Sequence, residues 1–122
     1  MNHQPFSWKA RFKSFVYAGR GILSFFRSEH NARLHLAATF IAAGLGFYCR
    51  LTHLEWIAIL FCISLVWITE MLNTCVEKSM NHLSPQYSEA VKQIKDIAAG
   101  AVLVASIFAA ITGCIIFIPK FL

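Results

Sequence analysis

The fourteen residues from Trp56 to Thr69 carry no charge, and the next residue is Glu70. An uncharged run of that length has to be buried, in a protein core or in lipid. The acid that closes it makes burial expensive, because a carboxylate at bilayer depth costs about 2.5–3.5 kcal/mol on insertion scales. The run continues as Glu70-Met71-Leu72-Asn73-Thr74-Cys75-Val76-Glu77. In a helix, Glu70, Asn73 and Glu77 stand at i, i+3 and i+7 and share one face, while Leu72, Cys75 and Val76 turn away. Two acids and an amide on one stripe do not serve packing. Intramembrane acids mark functional sites by default, the plain alternative being a Glu70 that snorkels or pairs with a neighbouring helix.

Composition decides between core and lipid. Of 122 residues, 57% are hydrophobic and 14% charged, whereas soluble domains carry about 25% charged residues. Too few charges remain to cover a water-facing surface, so the expected class is an all-α membrane protein forming one domain over residues 1–122. The formal charge of +5 is asymmetric, with six of the eleven Lys and Arg at or before Arg33. That suits an anionic cytoplasmic leaflet or an anionic cosubstrate. Nucleic acid is excluded as a partner, since most of the chain must sit in lipid. Cys49, Cys62, Cys75 and Cys114 are dispersed and read as small apolar fillers.

The amino-terminal segment is basic and aromatic. Trp8, Phe12, Phe15, Val16, Gly19, Ile22, Leu23 and Phe26 recur at three- and four-residue intervals, predicting an amphipathic helix over about residues 5–27 that lies in the headgroup plane. The Gly19-Arg20-Gly21 step can bend it, and Ser28 can cap the helix that follows. Three spans are predicted, over about 34–48, 54–72 and 97–118. The first is short for a bilayer of about 30 Å. Cys49 to His53 reads as a tight turn, Asn81 to Ser84 as a break, and Ser84-Pro85 as the cap and first residue of the last helix. Ala98, Ala99, Gly100 and Ala101 offer a close-packing face. Counting Lys and Arg in the short loops places the amino-terminal helix and the Glu77–Asp96 connection in the cytoplasm. Glu29, Glu77, Lys95 and Asp96 then share the cytoplasmic interface, with Glu70 about 10 Å deeper.

Such an arrangement suits phosphoryl transfer. Glu29 and Glu77 can hold Mg²⁺, which takes one or two carboxylates plus phosphate oxygens. Arg11 and Lys95 can neutralise phosphates. Glu70, poorly hydrated, suits proton abstraction from a membrane-embedded alcohol. No Gly-x-x-x-x-Gly-Lys loop occurs, so ATP would have to bind without one. Taken alone, Asn73 could be interhelical glue, Lys95-Asp96 a solvated pair, and Tyr17, Trp8, Trp56 and Trp67 belt or lipid-facing aromatics. His30, His35, His53 and His82 show no ligand spacing and are assigned to no metal. Lys78 is expected to face water.

Longer patterns narrow the field. Glu70-x-x-Asn73-Thr74-x-x-Glu77, followed by Ile94-Lys95-Asp96-Ile97-Ala98-Ala99-Gly100-Ala101-Val102-Leu103, strongly resembles the small bacterial diacylglycerol kinase and undecaprenol kinase family. Ser14-Phe15-x-Tyr17-Ala18-x-x-Gly21 and Glu29-x-Asn31-x-Arg33-x-His35 agree in order and spacing. The resemblance implies a homotrimer, each subunit with a surface helix and three spans, in the bacterial cytoplasmic (inner) membrane, with active sites between subunits that face the cytoplasm. It implies Mg²⁺-dependent transfer of the ATP γ-phosphate to a lipid hydroxyl, with diacylglycerol or undecaprenol as acceptor. By the same resemblance Glu70 is the catalytic base, Asn73 orients groups beside it, and Glu29 and Glu77 bind the metal. Tyr17, Lys95 and Asp96 contact the nucleotide. Two positions depart from the family pattern: Asn81 stands where relatives often carry Asp, and Ala10 where some carry Arg, with Arg11 one place on to take that role. The alternative from another class is a small multidrug-type transporter that exchanges protons on Glu70. Such proteins generally need four spans, where this chain predicts three.

Overall fold

The computed structural model describes residues 5–122, an all-helical chain of four elements. These are α1 (Trp8–Ser28), α2 (His30–Tyr48), α3 (His53–Leu83) and α4 (Glu89–Phe121). Three of the four begin on a hydroxyl cap. Ser7 Oγ accepts from Ala10 N at 3.3 Å, Thr52 Oγ1 from Glu55 N at 3.2 Å, and Ser88 Oγ from Val91 N at 3.1 Å, each satisfying one orphan amide of a first turn.

α1 runs unbroken through Gly19 and Gly21, so the expected bend is absent. Neither glycine has a neighbour that would pull the helix aside. Ser28 belongs to α1, where its hydroxyl donates to Ser24 O at 2.8 Å. The cap of α2 is instead Glu29, a single extended residue with no side-chain cap bond. Arg33 explains why one residue can join two helices. Its guanidinium donates to Phe26 O and Arg27 O at 3.3 and 2.9 Å, placing a cation on the carbonyl end of α1 where the helix dipole favours it.

The turn between α2 and α3 falls where the sequence places it. Leu51 N donates to Gly46 O and Arg50 N to Phe47 O, with Arg50 in the left-handed region at φ 54°. This is the Schellman closure, with Arg in the place glycine usually takes. Behind it, Trp56 packs onto Gly46 so closely that an added Cβ would lie 2.5 Å from the indole Cη2. Gly46→Ala is therefore expected to push α2 off α3 and destabilise the hairpin by about 1–3 kcal/mol, the usual penalty of overpacking. A thermal melt in detergent reads that loss directly, and an unchanged midpoint would show that the ring yields freely.

The last helix starts later than expected. Residues 84–88 lie outside helix, and Ser88, not Ser84, is its cap. Pro85 disfavours helical geometry at the residue before it, and Ser84 accordingly sits at φ −145°, ψ 79° and ends α3. Glu89 then supplies the negative first-turn residue.

α3 and α4 share the most extensive contact in the chain. They run antiparallel, tied at one end by Lys120 Nζ to Glu55 Oε2 at 3.0 Å and at the other by Lys95 to Asn81. Both are long and apolar enough to cross a membrane, at 31 and 33 residues. α2 does not meet the same measure, because its first two turns carry His30, Asn31, Arg33 and His35. α4 buries no residue at all within the chain, and most large apolar side chains of all four helices are exposed. A surface of that kind is built for lipid or for other subunits.

Candidate active site

The buried residues of the chain are few, and the polar ones cluster. Glu70, Asn73 and Thr74, on α3, are 4%, 8% and 6% exposed. They occupy the face anticipated from the i, i+3 spacing, and they are more enclosed than almost any apolar side chain of the molecule. Burying a carboxylate and an amide costs free energy unless partners answer them. Asn73 Oδ1 has no hydrogen-bond partner among the described residues. Glu70 has one polar side-chain partner among the described residues: His35 Nε2 of α2 lies 3.4 Å from Glu70 Oε2.

His35 is the site residue that sequence reasoning missed. A ligand-spacing search passes over it, since its partner is thirty-five residues away on another helix. One turn deeper, Thr39 Oγ1 donates to His35 O at 2.7 Å and accepts from Trp67 Nε1 at 2.9 Å. The Trp67 ring in turn meets Phe26 of α1 edge-on, with centroids 5.0 Å apart. The carboxyl end of α1, the first turns of α2 and the middle of α3 are thereby fixed around Glu70.

At the level of Glu77, Lys78 Nζ donates to Ser28 Oγ at 3.2 Å. Lys78 is exposed, as expected of a residue facing water, yet it also docks α3 on the α1–α2 junction. Glu29 and Glu77 each adjoin a partner of that contact and are half-buried. Neither carboxylate makes an ion pair or a side-chain hydrogen bond among the described residues. Lys95 and Asp96 do not pair with each other. Lys95 bonds Asn81 across the α3–α4 gap, and Asp96 pairs with Lys92 one turn back at 2.7 Å. The Asn81 position thus acts on Lys95, a link the spacing of fourteen residues did not reveal.

Arg11 and Tyr17 are not brought to this site by their own chain. Both are exposed on α1, about 25 and 16 Å along the helix from Ser28 at 1.5 Å per residue. Arg11 lies over the Phe6 ring and Arg20 over Tyr17, at 5.3 and 5.9 Å.

An apolar groove of about 380 Å³ opens beside His35 and Thr39. It runs between α2, α3 and α4 past Ala42, Cys62, Ala109 and Gly113 to Phe117. Small residues on α2 and α4 leave this space open.

A buried acid with an unpartnered amide oxygen one turn away, two carboxylates free of partners among the described residues and an apolar groove beside His35 fit chemistry on an amphiphile. Comparison with known proteins agrees. The family described as Prokaryotic diacylglycerol kinase matches residues 16–117. The chain belongs to that family. It is similar to the undecaprenol kinase of Bacillus subtilis (strain 168), at 39% identity over 89% of each chain. It is 38% identical to the diacylglycerol kinase of Synechocystis sp., over 89% of this chain and 63% of that one. The Escherichia coli (strain K12) diacylglycerol kinase is 27% identical over 85% of both. The chain is accordingly a lipid kinase of the prokaryotic diacylglycerol kinase family, a family of bacterial membrane enzymes. The transporter alternative finds no support.

Proposed function

We propose that this kinase moves the γ-phosphate of ATP to the hydroxyl of a long-chain membrane alcohol, diacylglycerol or undecaprenol, at the cytoplasmic face of the bacterial inner membrane. The observation that carries the proposal is the enclosure of Glu70 against His35, a residue that lines the apolar groove, with the unpartnered Oδ1 of Asn73 one turn along α3. The acceptor's hydrocarbon lies in the groove and its hydroxyl meets Glu70. As the hydroxyl oxygen bonds to the γ-phosphorus and ADP leaves, a Glu70 oxygen takes the proton. Asn73 orients the reacting groups. Glu29 and Glu77 are the carboxylates for Mg²⁺, and their freedom from other partners fits that donor set. Two carboxylates with phosphate oxygens completing the shell is the manner in which this ion binds nucleotides. Held by Glu29 and Glu77, such an ion would supply charge neutralisation for the phosphates. Lys95 and Asp96 contact the nucleotide.

The working unit is a homotrimer, with α2 as a short third span and α1 on the membrane surface. An α4 with no buried residue leaves a face for neighbours. The distance of Arg11 and Tyr17 from their own Glu70 leaves those roles to an α1 from another subunit.

Identities of 39% and 38% to relatives named for different acceptors make a substrate comparison the deciding experiment. Detergent-dispersed diacylglycerol and undecaprenol, each with MgATP, are expected to give phosphorylated lipid from at least one; neither accepting phosphate would end the proposal. Gly113→Leu tests the groove. A Cβ at Gly113 meets nothing within 4 Å, so the fold tolerates it, while the side chain fills the acceptor's space. The expected loss is about tenfold in kcat/KM for the lipid, in the range for a pocket altered by a few carbons, with KM for MgATP unchanged.

A further inference from the structure

Resting on Glu70 as the base, we propose that His35 is a positioning residue for this reaction, holding the Glu70 carboxylate so that one oxygen faces the acceptor hydroxyl. The geometry that points to it is a two-rung ladder between α2 and α3. His35 and Thr39 stand at i and i+4 on α2, and Trp67 and Glu70 at i and i+3 on α3, so each pair shares one face of its helix. The lower rung is complete, with Trp67 Nε1 donating to Thr39 Oγ1 at 2.9 Å and Thr39 Oγ1 to the His35 carbonyl at 2.7 Å. This fixes the backbone of His35 opposite α3. The upper rung is the approach of His35 Nε2 to Glu70 Oε2 at 3.4 Å. That distance is long for an aligned hydrogen bond, and hydrogen bonds of catalytic groups commonly tighten once substrate is in place.

Glu70 gains from such a partner. Its side chain is 5% exposed and that of His35 is 25% exposed, so little water is available to hold the carboxylate in one rotamer. With a single polar neighbour among the described residues, Glu70 depends on His35 for its orientation. An imidazole N–H on Oε2 leaves Oε1 for the proton of the acceptor. His35 also lines the groove that we assign to the acceptor, which places it beside the base and the lipid together. It does not take the proton itself.

The test is a double-mutant cycle on the full-length protein in detergent, with MgATP and whichever dispersed lipid alcohol the enzyme phosphorylates. His35→Ala should lower kcat about 10–100-fold, the usual loss when a supporting hydrogen-bond partner is removed, with KM for MgATP within twofold. His35→Gln, whose amide nitrogen reaches the place of Nε2, should recover most of that loss. In the Glu70→Gln background, followed by radiolabel over long incubations, His35→Ala should cost less than about twofold, because a residue acting through Glu70 has nothing left to orient. Full kcat in His35→Ala would overturn the inference. So would an undiminished loss in the Glu70→Gln background, or His35→Gln behaving no better than His35→Ala. If His35→Ala loses its helical circular dichroism, the His35→Gln result decides alone. Should Glu70→Gln keep its kcat, the base assignment itself fails, and that outcome is read from a variant in which His35 is untouched.

Discussion

Glu70→Gln is expected to lower kcat by about 10²–10⁴, the contribution usual for a general base, or roughly 3–5 kcal/mol at about 1.4 kcal/mol per decade. The substitution keeps the size of the side chain and an oxygen facing His35, but it cannot accept a proton. Nucleotide and Mg²⁺ affinity should change little, because Glu70 lies seven residues, about 10 Å of helix, deeper than Glu77. The buried setting sharpens the expectation. At 4% exposure there is little room for a water molecule to stand in for the lost base. Saturating MgATP and lipid should leave the defect in place, since it belongs to the chemical step. A variant whose rate recovers at high Mg²⁺ would mean that Glu70 serves the metal instead.

The second large effect belongs to the carboxylates above it. Glu77→Gln and Glu29→Gln should each raise the Mg²⁺ concentration needed for half-maximal rate, by at least the 10–100-fold or so seen when a metal's surroundings are weakened. Each removes an anionic oxygen that no other residue in the described chain engages. Titrating Mg²⁺ at saturating lipid separates the two classes of variant. If Glu77→Gln lowers kcat without shifting that requirement, the roles along α3 are reversed. The same preparation tests the shared site. Arg11→Ala and Glu70→Gln subunits, each inactive alone, should regain activity when mixed, in up to about a quarter of the sites of randomly mixed oligomers. Mixing succeeds only if α1 of one subunit serves α3 of another. Failure to complement would mean that Arg11 serves the Glu70 of its own subunit.

Much of the chain was legible because lipid is an undemanding solvent to read. Long uncharged runs force helices there, as no other backbone satisfies its own hydrogen bonds. α3 and α4 were therefore evident from Trp56–Thr69 and the apolar stretch after Asp96, and the Cys49–His53 turn from its polar interruption. The stripe Glu70, Asn73, Glu77 followed from helical periodicity alone, and burial of its first two members agrees. Cap positions were read less well. Ser28 and Ser84 have the right chemistry for caps, yet the chain used Glu29 and Ser88. The choice among adjacent polar residues depends on what the neighbouring helix presents, here the Arg33 guanidinium and the constraint of Pro85. By itself, then, the sequence determined the helices, their apolar faces and which acids share a side, since all three follow from 3.6-residue periodicity and the cost of burying charge. Only the tertiary structure decided that His35 stands against Glu70 and that Asn81 holds Lys95. Those relations join residues of different helices, and they are set by how the helices dock and not by any repeat along the chain.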